Sequence, residues 1–456
     1  MRDQVINYTE KFLDSLDVMK TYEISESLGK GLLDSPIVNE PAAMADLINL
    51  VDKNVDHEGI NPASGKHFGY IPGGGLYASS LGDYWADITN RYSGIFFADP
   101  GSVRMENQLI RWMAEMIGYP KEAYGNLASG GSIANLIAVV TAREAHKIKP
   151  HDIAKNVVYL SDHAHHCIKK SLKIAGLSDV IIRKLPLDQK FRVKPEDLKA
   201  LIENDLKNSL KPWLVVGSAG TTDVGAIDPM DKMSEISNKF GLWFHVDAAY
   251  GGYFMLCDGM SEKFKGIEAS DSIVVDPHKG LFLPYGLGVC LVREGYKMKE
   301  AFTESANYMQ DAFESEEEIS PADVSPELTK HFRGLRLWLP LKLHGVTPFR
   351  ASLEEKLLLA QYFYQEIQKL PGFEVGPEPE LSVVTFWYVP SSGDVNAFNQ
   401  ALIKEIHKDG RVFISSTMID GRFTLRMAVL VFRSHLEEVD LTILILKEKV
   451  AELEKR

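Results

Sequence analysis

Six short apolar, β-branched runs punctuate the middle of this 456-residue chain: Val157–Leu160, Val180–Ile182, Leu214–Gly217, Trp243–Val246, Ile273–Val275 and Val289–Val292. Helical patterns such as Lys194–Asn208 and Pro229–Phe240 lie between most of them. Parallel strands need a long crossover, and a helix supplies one. Runs with little polar alternation also demand cover on both faces of the sheet. The alternation therefore predicts one large α/β domain around a mostly parallel sheet. The link between the last two runs is too short for a helical crossover, so one antiparallel strand is expected.

The flanks read differently. Residues 1–56 read as helices with polar breaks, and residues 61–75, NPASGKHFGYIPGGG, as a long loop. From Leu76 to Tyr119 the apolar positions recur at helical spacing, with a break at the DPGS of Asp99 to Ser102. From Phe349 the pattern changes to a long helix at about Leu353–Leu370, then strands near Val383–Tyr388, Val412–Ser415 and Phe423–Leu430. One helix precedes Gly410 and another ends the chain. The expected organisation is an N-terminal helical and loop segment (1–75), a large α/β domain (76–348) and a small α+β domain (349–456). The acidic segment Gln310–Asp323 lacks apolar periodicity and reads as a mobile loop.

Charge and cysteine usage narrow the function classes. Lys plus Arg is 50 against 63 for Asp plus Glu, a net charge of −13. That sign argues against nucleic-acid binding, which draws on clustered cations, but permits a small phosphate held by backbone amides. Cys167, Cys257 and Cys290 are odd in number and form no CxxC pair, so neither a zinc ribbon nor a disulfide framework is indicated. Buried or idle thiols in a reducing cytoplasm are the default. The N-terminus lacks an apolar h-region, and no run approaches 18 apolar residues, so neither a signal peptide nor a membrane span is expected.

Four segments carry candidate chemistry. In IVVDPHK, Lys279 follows a buried strand and Pro277, which cannot donate to a ladder. The lysine then projects at the carboxyl edge of the sheet, where α/β folds place ligands. Desolvation there would lower its pKa and make the amine nucleophilic; alone, it is as easily a surface lysine after a turn. In FHVDAAY, Asp247 ends another apolar strand and is costly to bury without a cation. A pyridinium nitrogen is one such partner, and a helix N-cap the plainer reading. In ASGGSIAN, Gly130, Gly131 and Ser132 open a helix whose free amides suit a phosphate, or merely cap it. The loop matches neither GxxxxGK[ST] nor GxGxxG. In SDHAHH, adjacent His165 and His166 are expected to point apart, which argues against metal; a ring stacked on a planar ligand, or a solvated turn, remains.

Amine, carboxylate, phosphate cradle and stacking ring together match the needs of pyridoxal 5′-phosphate. In this order they resemble the pyridoxal-phosphate-dependent group II decarboxylases, most like the aromatic L-amino-acid branch. The resemblance spans nearly the whole chain through HFGYIPGGG, ASGGSIANL, SDHAH, GSAGTTDVGAID, HVDAAYGG, DPHKG and HFRGLRLW. It implies an α/β fold-type-I architecture: a mixed, mostly parallel seven-stranded sheet, an N-terminal helical segment and a small C-terminal α+β domain. It also implies a homodimer with interfacial active sites, and loss of CO2 from an L-amino acid to give the amine. By resemblance Lys279 is the Schiff-base lysine with His278 beside it. Asp247 partners the ring nitrogen in a quinonoid route, Ala249 packs near the ring, and His165 stacks on it. Gly131, Ser132 and Thr222 belong to the cofactor pocket, and Tyr70 and Pro72 line the substrate pocket. Asp276 stands where the family often has Asn near the phosphate; repulsion from a dianion makes capping of backbone amides the other reading.

Two departures bear on substrate and product. The loop that in aromatic decarboxylases carries a proton-donating tyrosine has none here between Met309 and Lys330; Tyr308 stands just before it. Gly94 replaces a bulky apolar residue. Tyr70, Tyr92 and Phe96 suit an aromatic substrate, while Lys66 or Arg91 could serve a glutamate or aspartate decarboxylase. An aldehyde synthase is a further alternative, and an aminotransferase, with Arg426 as the carboxylate clamp, a lesser one.

Overall fold

A computed structural model describes residues 1–303 and 318–455. Three two-residue strands, β1 (Tyr22–Glu23), β2 (Gly59–Ile60) and β3 (His67–Phe68), lie among helices α1 (Arg2–Asp14), α2 (Met44–Val51) and α3 (Tyr77–Thr89). Helix α4 (Pro100–Ile117) precedes seven strands: β4 (Tyr124–Ala128), β5 (Asn156–Ser161), β6 (Ile181–Leu185), β7 (Lys211–Ser218), β8 (Trp243–Asp247), β9 (Ser272–Val275) and β10 (Gly288–Val292). Helices α5 (Gly131–Ala145), α6 (Cys167–Ile174), α7 (Pro195–Lys207) and α8 (Met230–Phe240) follow β4 to β7 in turn, and a single helical turn, α9 (Pro277–Gly280), follows β9. Strands β11 (Phe373–Val375), β12 (Val383–Tyr388), β13 (Phe413–Ile419) and β14 (Arg422–Ala428) come last.

The described chain divides into two compact units. One spans Gly75–Glu354 with Pro379–Leu381 and holds the seven-stranded sheet, ordered β4-β10-β9-β8-β7-β5-β6. Strands β5 to β9 pair in parallel, and β10 runs antiparallel to both its neighbours. The short β9–β10 link imposes that reversal. The core beneath α5 joins Ile137, Val158, Leu160, Trp213 and Val216 at 1% exposure or less; each such side chain contributes about 1.5–3 kcal/mol of burial.

The other unit gathers Met1–Gly74, Glu355–Glu378 and Ser382–Arg456. Its five-stranded sheet is ordered β11-β12-β14-β13-β3, over a core of Phe68, Phe363, Phe386 and Leu425. Strand β3 pairs in parallel with β13, His67 opposite Phe413. Residues 61–75 are thus more than a loop: they supply an edge strand.

Several local readings are corrected. DPGS starts a helix rather than breaking one: Asp99 caps α4, accepting from the Ser102 amide at 3.4 Å, and Pro100 takes the first turn. The helical pattern is broken earlier, between α3 and α4. Strand β6 begins at Ile181 and runs to Leu185, its extension hidden by Arg183 and Lys184 on an edge strand with alternating exposure. Strand β4 has no β-branched residue, so its pattern is mute. Gly125 explains part of this: a Cβ there would meet the Cys290 carbonyl oxygen of β10 at 2.4 Å. Of the acidic segment, residues 310–317 lie outside the described residues. The rest is packed: Glu318 accepts from Asn107 Nδ2 at 2.7 Å and pairs with Arg111 at 3.3 Å, and the Ile319 carbonyl accepts from Tyr124 Oη at 3.0 Å.

Gly125→Val forces β4 from β10 and is expected to cost about 1–3 kcal/mol. Denaturant unfolding reads this as a lowered midpoint; an unchanged midpoint would mean that β10 yields freely.

Candidate active site

A parallel sheet brings the ends of its strands to one edge, and the loops there converge. Loops after β4, β5, β7, β8 and β9 enclose a cavity of about 340 Å³. Nine residues singled out from sequence line it: Gly131, Ser132, His165, Thr222, Asp247, Ala249, Asp276, His278 and Lys279. Tyr70 and Pro72 belong to the other unit. There Tyr70 takes φ 55°, and its ring lies 6.0 Å from that of Phe413. Tyr308 lies outside the described residues.

Lys279 sits in α9, one turn after Asp276, and its Nζ is 3.2 Å from Asp276 Oδ2. Burial pulls the Lys279 amine down, but Asp276 and Asp247 together outweigh it and hold the amine above its ordinary value. The expectation of a depressed lysine is therefore corrected: without a ligand Lys279 is an ammonium ion, because two carboxylates share its cavity. Asp276 is 1% exposed, and its Oδ1 is buried with no hydrogen-bond partner. Its side chain does not cap the α9 amides, so that alternative is also set aside. His278 turns Nδ1 to the Leu287 carbonyl at 2.5 Å and Nε2 to Asp276 at 3.7 Å, and burial lowers its pKa.

Asp247, at the end of β8, caps no helix. Its Oδ1 accepts from the Ala249 amide at 3.1 Å, and Asn135 Nδ2 lies 3.5 Å from Oδ2. His165 accepts the Cys167 amide at Nδ1, 3.3 Å away, which leaves the ring proton on Nε2. Burial holds this imidazole below its usual value against the opposing pull of Asp247, so it is neutral. His165 and His166 do not point apart: their ring centroids are 4.2 Å apart. Their side chains fold onto one another at the start of α6. No group of three or more His, Cys, Asp or Glu among the described residues could hold a metal ion.

The loop from β4 into α5 forms a cradle. Gly130 takes φ 147°, a conformation side chains rarely adopt, and a Cβ on Gly131 would lie 2.7 Å from Asp276 Oδ2. The first amides of a helix have no partner within it and point outward. Glycines leave them open to a phosphate. Cradle, amine and carboxylate fit a phosphorylated aldehyde with a basic ring nitrogen; the unpartnered Asp276 oxygen is the one feature that opposes it.

Other cavity residues escaped the sequence reading. Asn135 lies one turn into α5, and the i+4 spacing from Gly131 was the available signal. Tyr285 lines the cavity with its ring 5.8 Å from that of His278. Burial raises the Tyr285 pKa, so the phenol keeps its proton. Cys167, read as idle, also lines it. Gly94 is explained by packing: a Cβ would stand 2.2 Å from the Leu328 carbonyl oxygen.

The family model of the pyridoxal-dependent decarboxylase conserved domain matches residues 29–389. An aromatic-L-amino-acid decarboxylase of Bacillus atrophaeus is 30% identical over 96% of this chain and 93% of its own. A phenylacetaldehyde synthase of Petunia hybrida is 28% identical over 90% and 86%. Among solved structures, tryptophan decarboxylase of Catharanthus roseus in complex with L-tryptophan superposes with a TM-score of 0.90 at 24% identity, covering 99% and 97%.

Asp276 lies against the glycine cradle, where a second negative charge would repel a phosphate dianion. Asp276→Asn should therefore tighten pyridoxal 5′-phosphate binding to the apoprotein at neutral pH by about tenfold, one pKa unit's worth of interaction. Equilibrium titration checks this; weaker binding in the variant would show that the carboxylate helps hold the cofactor.

Proposed function

Because the chain belongs to the pyridoxal-dependent decarboxylase family, and is thus a pyridoxal-phosphate-dependent amino-acid decarboxylase of fold type I, we propose that its substrate is an aromatic L-amino acid and its products the amine and CO2. The juxtaposition of Lys279, Asp247 and the Gly130–Gly131 cradle in one cavity carries this reading. Bound there, pyridoxal phosphate supplies an electron sink for the pair left when a carboxylate departs as CO2.

The chain's residues prepare that step. Lys279 Nζ would hold the aldehyde, and the α5 amides with Ser132 and Thr222 would hold the phosphate. Asp247 would partner the ring nitrogen: a unit pair about 4 Å apart at an effective dielectric near 20 is worth about 4 kcal/mol before desolvation. His165 would stack its neutral ring on the cofactor, and Ala249 would pack near it. After CO2 leaves, Cα needs a proton, and a positioned acid is worth about 10²–10⁴-fold. Lys279 Nζ, His165 Nε2 and Tyr285 Oη each hold one at the cavity, which supports amine release without a loop tyrosine.

The side chain is argued from the available cations. Arg91 is held in two hydrogen bonds by Asp99, at 2.8 and 3.1 Å. Lys66 donates to the Asp17 and Met19 carbonyls at 2.8 and 3.2 Å. Both cations named for an acidic substrate are engaged, which favours an uncharged, aromatic one.

A homodimer is part of the same reading. Helix α3 exposes Tyr77, Leu81, Tyr84, Trp85 and Ile88 at helical spacing, an apolar stripe that a second copy would cover. A cytoplasmic location accords with three buried, unpaired thiols. No helix of the described residues is long and apolar enough to cross a membrane.

Product analysis under air with aromatic and acidic amino acids tests the function. Amine should match CO2, with at most minor peroxide, and Lys279→Ala should lose both turnover and the borohydride-fixed pyridoxyl adduct. Near-stoichiometric aldehyde and peroxide would instead make the protein an aldehyde synthase, as its Petunia relative is named; an adduct on another lysine would displace Lys279. Sedimentation equilibrium should give twice the 51.0 kDa chain mass, and a monomer at micromolar concentration would refute the dimer.

A further inference from the structure

A row of buried polar side chains leads from Asp247 into the sheet. Asn135, His245, Ser272 and Trp243 are each 2% exposed or less. Trp243 Nε1 is 2.8 Å from Ser272 Oγ, which is 2.8 Å from His245 Nδ1. His245 Nε2 is 2.7 Å from Asn135 Oδ1, and Asn135 Nδ2 reaches Asp247 Oδ2 at 3.5 Å.

The two ends fix the direction of every link. An indole N–H can only donate, so Ser272 accepts from Trp243 and has its own proton for His245 Nδ1. His245 then carries its proton on Nε2 and donates to Asn135 Oδ1. Asn135 is left with an amide that donates to the Gly131 carbonyl at 2.9 Å, its second hydrogen shared between Cys167 Sγ at 3.4 Å and Asp247 Oδ2 at 3.5 Å. Turning the Asn135 amide over would set its oxygen against that carbonyl and a carboxylate, which is repulsive. Burial lowers the His245 pKa to about 4, with Asp247 opposing, so the ring holds a single proton. Every dipole in the row points its positive end at Asp247. The last link is the longest, so it orients rather than binds tightly.

We propose that Asn135, His245 and Ser272 are positioning residues, whose one-way row of donors from Trp243 aims the Asp247 carboxylate at the cofactor's ring nitrogen. This rests on Asp247 being the ring-nitrogen partner. Besides the row, Asp247 is influenced by Lys279, Cys167 and His165 across the cavity; of these only Lys279 carries a charge that favours the anion, and it would be engaged by the aldehyde. The row supports Asp247 whatever the state of the lysine.

The test compares holoenzymes by kcat, KM and the visible absorption of the bound cofactor across pH. His245→Phe removes the donor and should lower kcat by about 10–100-fold, the usual cost of losing an outer-shell partner. KM should stay within about threefold, because the interaction matters most when the ring nitrogen is charged. The cofactor's absorption should shift toward the unprotonated ring. His245→Gln restores an N–H near the Nε2 position and should recover about tenfold of the loss. A His245→Phe holoenzyme with wild-type kcat and spectrum, or a Gln variant no better than Phe, overturns the proposal. Asp247→Asn is the separate arm: if it leaves both readouts unchanged, the ring-partner reading itself fails, whereas a damaged Asp247→Asn beside an intact His245→Phe rejects only the row. If His245→Phe folds poorly, Ser272→Ala, which deletes one hydroxyl, must show the same spectral shift in weaker form, and its absence counts against the row.

Discussion

Two buried carboxylates, Asp247 and Asp276, and the partly buried Lys279 at the carboxyl edge of the sheet constrain everything around them. Burying any one alone would be prohibitive, and burying them together is tolerable only with their geometry fixed. The fold supplies that geometry from rigid parts. Asp247 ends β8, while Asp276 and Lys279 stand one helical turn apart after β9. Because β8 and β9 are parallel neighbours, with Asp247 paired to Val274, the three groups arrive at one place without a long loop to hold them.

Close backbone approach is the second constraint, and glycine meets it. A Cβ on Gly288 would meet the Gly130 carbonyl carbon at 2.4 Å and Asp276 Oδ1 at 2.6 Å. A Cβ on Gly131 would press on the same aspartate. The cradle, the start of β10 and the carboxylate are thus packed against one another. The same logic placed Gly94 under a backbone carbonyl, which turns an apparent change in substrate shape into a packing requirement.

What could be read in the chain follows from the range of the interactions. Strands β8, β9 and β10 announced themselves through β-branched runs, and the short β9–β10 link announced the antiparallel reversal. The DPHK and HVDAAY segments announced their chemistry because lysine and aspartate at strand ends have few cheap uses. Strand β4 was silent because Gly125, Asn126 and Ala128 are chosen for neighbours rather than for propensity. The ammonium state of Lys279 could have been read from Asp276 three residues earlier. The contact of His245 with Asn135, 110 residues apart, had no local signature, since each looked like an ordinary member of a strand or a helix.

The two carboxylates of the cavity differ in what backs them, and that difference supports the roles proposed for them. Asp247 has a backbone amide on one oxygen and the Asn135 amide toward the other, so its charge is supported by groups that do not change during turnover. Asp276 has Lys279 at one oxygen and no hydrogen-bond partner at the other. Its support is the amine that, in the proposed reading, would bond to an aldehyde. An anion proposed to face a ring nitrogen is better backed by groups that form no bond to the cofactor. Asp247 meets that requirement and Asp276 does not, although both are buried, lie in the same cavity and follow strands of the same sheet.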